Sequence, residues 1–461
     1  MIKLEQNFHL LTMLIKKSFS LVLVLLLSSN CSFDNKTGIW GDTKEERKLA
    51  SEIEERQKEI LEVVKIYSTE NEKLEEISLK KNIVISSPKK NKSWITSGLN
   101  NENLVGNIHL SSTANIFLKK KIGKNKFSIS KNQTNLLSLN DNLLFSDDKG
   151  TIFNITLDGK INWKKNIYKK VYKKVYKNLS LVISNNTIYI ADNIGLIYAV
   201  NFLNGELIWI KNHGIPLKSN IKIFNNKMFL IDQDNRLLSL DIKNGRRLWD
   251  VRAISSFIKT QNLLSLALSK DGEVLVVTSS GDLIKVDEKN GDIFWSLNTA
   301  QSTLSDATDF FKTSNIILNE GNIFFSSKQT FFSYNLDNGK INWEQKVSAV
   351  GTPIIDKNNI FLVTENGFFI IINKKNGKII SSTNILRVLK KKNQITKISA
   401  YIMGSGKIYS VTKNGYLIIT SANSGKVESY KRLAKSISVS PIISDNKLFI
   451  LTENSKIIGL N

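Results

Sequence analysis

Cysteine, histidine and proline are scarce in this chain of 461 residues, which holds one, three and four of them respectively. One thiol excludes an internal disulfide. His9, His109 and His213 with that single Cys leave almost no stock for a zinc, haem or iron–sulfur centre. The two later histidines have no Asp/Ser or Cys partner at a recognisable spacing, so nothing supports a catalytic triad, and no phosphate-cradling glycine loop is present. Long apolar runs are lacking too, since the best of them, Phe19–Leu27, is too short to cross a bilayer core of about 30 Å. Disorder is excluded in turn, because 41% of the residues are hydrophobic and only 23% charged. The basic excess, 65 Lys+Arg against 41 Asp+Glu for a net +24, accompanies a general abundance of Lys, Asn and Ile. That abundance fits a base-composition bias, and no nucleic-acid partner is inferred from it.

The apolar run follows Lys16–Lys17 and precedes Ser28, Ser29, Asn30 and Cys31, the order of a secretory signal. Residues 1–31 are expected to be a lipoprotein signal ending at a lipidated Cys31. Translation from Met13 would give a shorter, more ordinary signal than translation from Met1. Ser32 follows the Cys where an Asp would favour retention in the inner membrane, so the expected site is the periplasmic face of the outer membrane. Acyl chains contribute about 0.8 kcal/mol per buried CH₂, enough for stable anchoring when several are attached. Residues 32–93 are expected to form a tether. Its stretch 42–80 lacks Gly and Pro and places Ile53, Ile60, Tyr67 and Leu74 at intervals of seven, which predicts a solvated helix. Residues 81–93 read as linker.

From about residue 140 a pattern recurs: an apolar strand, a polar turn, an alternating strand, then a glycine with Trp four residues later. The pairs are Gly159/Trp163, Gly205/Trp209, Gly245/Trp249, Gly291/Trp295 and Gly339/Trp343, while Gly377 and Gly425 precede Ser381 and Ser429 instead. Successive glycines lie 46, 40, 46, 48, 38 and 48 residues apart, the length of a four-stranded propeller blade. Dipeptides such as Asn366-Gly367 and Asn414-Gly415 supply the positive φ of a tight hairpin. The Trp falls early in a strand, where its ring is predicted to fill the wedge between blades. An eighth hairpin spans Leu448–Leu460 without a following Gly-x-x-x-Trp strand, and Ala114–Ile122 is strand-like. The prediction is an all-β, eight-bladed propeller over residues 94–461, closed by that N-terminal strand, which removes exposed edges.

Asn204-Gly205-Glu-Leu-Ile-Trp209 and Asp241-Ile-Lys-Asn-Gly245-Arg-Arg-Leu-Trp249 resemble the quinoprotein-type repeat. A repeat identifies a fold and not an activity. The quinone enzymes of that fold need acidic calcium ligands and an aspartate base, often with a vicinal disulfide; no blade clusters such acids, and no cofactor is expected. With a lipoprotein Cys and eight such blades, the chain is similar to the BamB family of outer-membrane β-barrel assembly lipoproteins. Trp94-Ile-Thr-Ser-Gly98, Val105–Leu110 and Leu304-Ser-Asp306-Ala-Thr-Asp309 carry the resemblance further. It implies a non-enzymatic scaffold that docks on a periplasmic POTRA domain of BamA, joins the other assembly subunits and assists unfolded outer-membrane proteins. It implicates Asp306 and Asp309 in docking, with Phe257, Ile258 and Lys259 in a second loop one blade earlier. Lys259 stands where the family has Arg and offers a point charge in place of a bidentate fork. The rival functions are a periplasmic quinone-dependent oxidoreductase and a ligand-binding sensory propeller. Residues 164–177, in which Tyr168, Tyr172 and Tyr176 interleave with lysines, read as a solvated outer strand or loop, with acidic lipid or single-stranded nucleic acid as the alternative ligand. Asp232-Gln-Asp234-Asn235 reads as a hairpin turn, because Lys243 stands where a calcium loop needs its distal Glu.

Overall fold

In the computed structural model the chain divides into a unit over Met1–Lys73 and a unit over Leu74–Asn461. The structure describes residues 74–124, 134–252, 262–299, 312–392 and 396–461. The signal, Cys31 and residues 42–73 of the expected tether helix lie outside the described residues.

The second unit is built of eight four-stranded antiparallel sheets. Blade 1 occupies residues 137–165, blade 2 179–212, blade 3 222–252, blade 4 265–298, blade 5 317–345, blade 6 354–384 and blade 7 398–432. Blade 8 takes three strands from residues 442–460, and its fourth is Ile116–Lys121, paired antiparallel from Ile116↔Leu460 to Lys121↔Lys456. The ring therefore closes as the sequence predicts. The first strand of each blade lies nearest the axis, where those of blades 2, 3, 4 and 5 follow one another. The second and third strands are almost wholly buried, as in Asn359–Val363 and Tyr416–Ser421. Fourth strands such as Leu207–Asn212 form the exposed rim.

The recurrent motif acts as a latch between blades. In blade 2 the Asn201 carboxamide oxygen accepts the Leu203 N–H at 2.8 Å, which turns the chain toward Gly205. Gly245 of blade 3 has φ +69°, and a Cβ there would lie 2.6 Å from the Trp209 ring of blade 2. The indole of Trp209 covers the glycine and donates its Nε1–H to the Ile242 carbonyl at 3.0 Å. The same donation runs from Trp163 to Phe202, Trp249 to Glu288, Trp295 to Leu336 and Trp343 to Lys374, at 2.9 to 3.2 Å. A β-bulge precedes each ring: Ser239 pairs with Trp249 and Leu240 with Arg247, which leaves Leu248 extra and aims the indole at the next blade. The rings are half-buried rather than enclosed.

At the seam between blades 6 and 7 the Trp position holds Ser381, and the chain fills the gap differently. Residues 74–80 are extended, contrary to the helix predicted through residue 80. Ile77 and Ser382 exchange N–H···O bonds of 2.9 and 3.0 Å, and Ser381 Oγ donates to the Ile77 carbonyl at 3.1 Å. Ile83 donates its N–H to the Asn423 carbonyl of blade 7 at 3.1 Å, and Ile83 and Ile85 pack on the core shared by the two blades. Residues 81–93, expected to be linker, are thus part of the fold. Burying apolar side chains and pairing their backbone outweighs the local helical preference of the stretch.

Candidate functional site

Strand alternation gives the ring two distinct faces. First strands run toward one face, so fourth strands return to the other, and the connections between blades emerge there. The two faces differ in what covers them.

On the face where the first strands end, residues 86–110 cross the mouth of the central channel and bond to all eight blades. Trp94 and Ser138 of blade 1 exchange backbone bonds of 2.6 and 2.9 Å, and the Ile183 N–H of blade 2 reaches the Ile95 carbonyl at 2.8 Å. Asn101 donates to Ile223 of blade 3 and accepts from Leu268 of blade 4, and the Leu318 N–H of blade 5 meets the Glu102 carbonyl. Ser86 bonds Asp356 of blade 6 at 2.8 Å, Asn107 accepts from Gly406 of blade 7 at 2.9 Å, and Asn91 accepts from Asp445 of blade 8 at 2.9 Å. At the centre of this cap, Asn103 is buried and donates to the carbonyls of Leu266 and Ile316 at 3.0 and 2.8 Å.

Lys222, wholly buried in blade 3, holds the cap down. Its ammonium donates to the carbonyls of Ser97 and Asn100 at 2.9 and 2.6 Å and to the Asn103 Oδ1 at 2.6 Å, one acceptor for each proton. Burial pulls its pKa down to about 7. Nothing in the sequence singles out Lys222, because its acceptors lie about 120 residues away and are mostly backbone. Behind the cap a cavity of about 120 Å³ is lined by Trp94, Ser97, Asn135, Asn220, Asn315, Thr352, Tyr401 and Ser440 among others, without one charged side chain. That lining supplies neither carboxylate ligands nor an acidic base for a quinone–calcium pair. Among the described residues no group of three or more His, Cys, Asp or Glu converges on a metal site.

The opposite face carries the interblade connections. The stretch with Phe257, Ile258 and Lys259 joins Arg252 of blade 3 to blade 4, and the stretch with Asp306 and Asp309 joins blade 4 to blade 5. All five residues lie outside the described residues. Both stretches depart from and return to one face at consecutive seams. The second starts from an anchored end, where Thr299 Oγ1 and N–H both bond the Gly281 carbonyl, at 2.7 and 2.8 Å. It ends at Lys312, which joins Lys397 and Lys413 around Glu365 at 3.4, 3.6 and 2.7 Å. Partial burial would raise the Glu365 pKa, but the three lysines outweigh it and hold the carboxyl down at about 2.

Other residues singled out in the sequence take structural places. Lys170–Lys174 form a 3-10 turn on the loop face, as the reading of a solvated segment predicts. Tyr168 turns inward, covers Gly150 and donates to Asp192 at 2.6 Å, while Lys177 is buried beside its ring. Asp232 caps a hairpin through the N–H groups of Asp234 and Arg236, and its other oxygen meets His213 Nε2 at 3.1 Å, a pairing that the chain spacing had hidden.

The comparisons with known proteins agree with this architecture. The family described as "Outer membrane protein assembly factor BamB" matches residues 148–383, just over half of the chain. The curated protein of that name from Moranella endobia is 21% identical over 235 residues, covering 45% of this chain and 58% of the relative. The one from Shewanella oneidensis is 25% identical over 220 residues, covering 42% and 53%. The chain thus spans between half and three-fifths of the length of these relatives. Among solved structures, BamB from Moraxella catarrhalis superposes with a TM-score of 0.58 at 12% identity, covering 74% of this chain and 99% of that one. The quinohemoprotein alcohol dehydrogenase of Comamonas testosteroni superposes with a TM-score of 0.60 at 10% identity, covering 80% of each chain. Identities this low establish the shared propeller alone; the sequence match over the latched blades goes further, and by it the chain belongs to the family of the outer membrane protein assembly factor BamB.

Proposed function

We propose that this protein is a non-enzymatic scaffold of the outer-membrane β-barrel assembly machinery, held at the periplasmic face of the outer membrane by a lipid on Cys31. In this reading the loop face docks on a periplasmic POTRA domain of BamA. Asp306 and Asp309 pair with basic groups there, while Phe257, Ile258 and Lys259 add an apolar and basic contact beside them. The ring holds BamA and the other subunits in a working arrangement while unfolded barrel proteins are inserted.

The observation that supports this most is the placement of the two stretches at consecutive seams of one face, with the anchored ends of Thr299 and Lys312 beside them. Loops on a rigid frame are where recognition groups are normally presented. The uncharged lining behind the cap favours the scaffold over a quinone-dependent oxidoreductase. The test is binding of purified BamA periplasmic domains to Asp306→Ala/Asp309→Ala. Each truncation is expected to cost about 2 kcal/mol or more, as central charged contacts do. The double variant should therefore lose binding at an unchanged melting temperature. Full binding by that variant would refute the site.

A further inference from the structure

Three seams of the ring lack the indole latch: between blades 8 and 1 Leu118 covers Gly159 in its place, between blades 6 and 7 the strap fills the gap, and between blades 7 and 8 residues 110–114 line a groove without filling it. At the filled seam, Ser381 stands for Trp, and Ile77 adds to the outer edge of blade 6 by a two-way backbone bridge with Ser382. One residue before Ile77, Glu76 pairs with Arg387, six positions beyond Ser381. At the seam between blades 7 and 8, Ser429 occupies the Trp position in the strand Val427–Arg432. Its pairing repeats that of blade 6: Ile419 faces Ser429 as Ile371 faces Ser381, with the same bulge just before. The residue equivalent to Ser382 is Tyr430, whose side chain is 43% exposed. Six positions beyond Ser429, as Arg387 is beyond Ser381, stands Lys435, which is exposed. Beside Ser429 and Tyr430 runs a groove of about 490 Å³, bounded by Leu110, Thr113 and Ile419.

We propose that this seam is a docking site for an extended polypeptide segment of a partner. The segment adds antiparallel to Val427–Arg432 opposite Tyr430. It places an acidic residue just before the residue opposite Tyr430, toward Lys435. The occupant's chemistry is read from the sister seam, where Ile77 bridges Ser382 through the backbone and Glu76 pairs with Arg387. Strand addition draws affinity from backbone bonds and specificity from alternate side chains. The site does not depend on the BamA-facing loops, so each reading can fail without the other.

A capped, fluorescently labelled peptide with the sequence of residues 73–80 is the probe, titrated into the full chain and followed by anisotropy. Tyr430→Pro removes the outward N–H from an edge strand, a position where proline is tolerated. Saturable binding, weakened at least tenfold by Tyr430→Pro and several-fold by Lys435→Glu, with both variants melting like the wild type, supports the proposal. If Tyr430→Pro melts lower, two measurements decide, Lys435→Glu and a peptide carrying Lys in place of the acid before Ile: both must show weaker binding. Three results overturn it: no saturable binding, binding unchanged by these substitutions, or binding that is lost in Ser382→Pro and kept in Tyr430→Pro, which would mean exchange with the chain's own strap. Dimerisation of the free chain that Tyr430→Pro abolishes would also overturn it, since the occupant would then be a second copy.

Discussion

A single indole performs three tasks at each latched seam: it covers a glycine, donates one hydrogen bond and fills the space between sheets. Trp249 stacks over Gly291 and bonds the Glu288 carbonyl at 3.2 Å. It is half-buried, so Trp249→Ala is expected to lower stability by about 2–3 kcal/mol, at or below the low end for a fully enclosed ring. Denaturant unfolding measures this, and an unchanged midpoint would contradict the latch. Glu365 acts at the same scale through charge. Its pKa of about 2 lies below the ordinary 4.5, so its contribution is complete above about pH 4.5 and fades as the pH falls toward 2. The lysines around it are about half-exposed, which limits that contribution to about 1 kcal/mol at most. The wild type should melt above Glu365→Gln at neutral pH, and the gap should close with acidification. A gap independent of pH would show that the lysines do not act through the charge.

At the scale of elements, the blades and the segments that cross them were unequally legible. Gly-x-x-x-Trp at blade-length spacing marks both the fourth strand and the seam, because the latch is built from residues close in sequence to the turn that orients it. The closing strand was legible for a related reason: Lys456–Leu460 needed a partner and Ala114–Ile122 had a strand's composition. The cap and the strap carry no such signature. Their side chains point at backbone carbonyls of blades that are distant in the chain, as Asn103 does at Leu266 and Ile316, and that pattern has no period. The heptad of Ile53, Ile60, Tyr67 and Leu74 led the predicted helix past Leu74, where the empty Trp position at Ser381 imposes an extended strap. The cap also makes the sharpest prediction for an element. Lys222→Met leaves three buried oxygens without their donor, which should cost about 3 kcal/mol and speed hydrogen exchange across residues 97–103. Exchange in that segment unchanged from wild type would show that the ammonium does not hold it.

At the scale of the whole molecule, the ring has one face sealed by its own N-terminal segment and one face of interblade connections. Residues 86–110 tie all eight blades together at one mouth, and Ile116–Lys121 joins the last blade to the first turn of the ring. A frame so closed fixes the ends of its interblade connections relative to one another. The seam at Ser429 adds an edge on the rim, apart from both faces, where an extended segment can pair. The scaffold reading stands or falls with the protein's membership of a working assembly. Its most direct measurement is isolation of the tagged full-length protein from gently solubilised envelopes of its own cell, with mass spectrometry of what accompanies it. BamA and its companion subunits should be enriched with the protein in the outer-membrane fraction. Recovery of the intact protein from that fraction without BamA would contradict it.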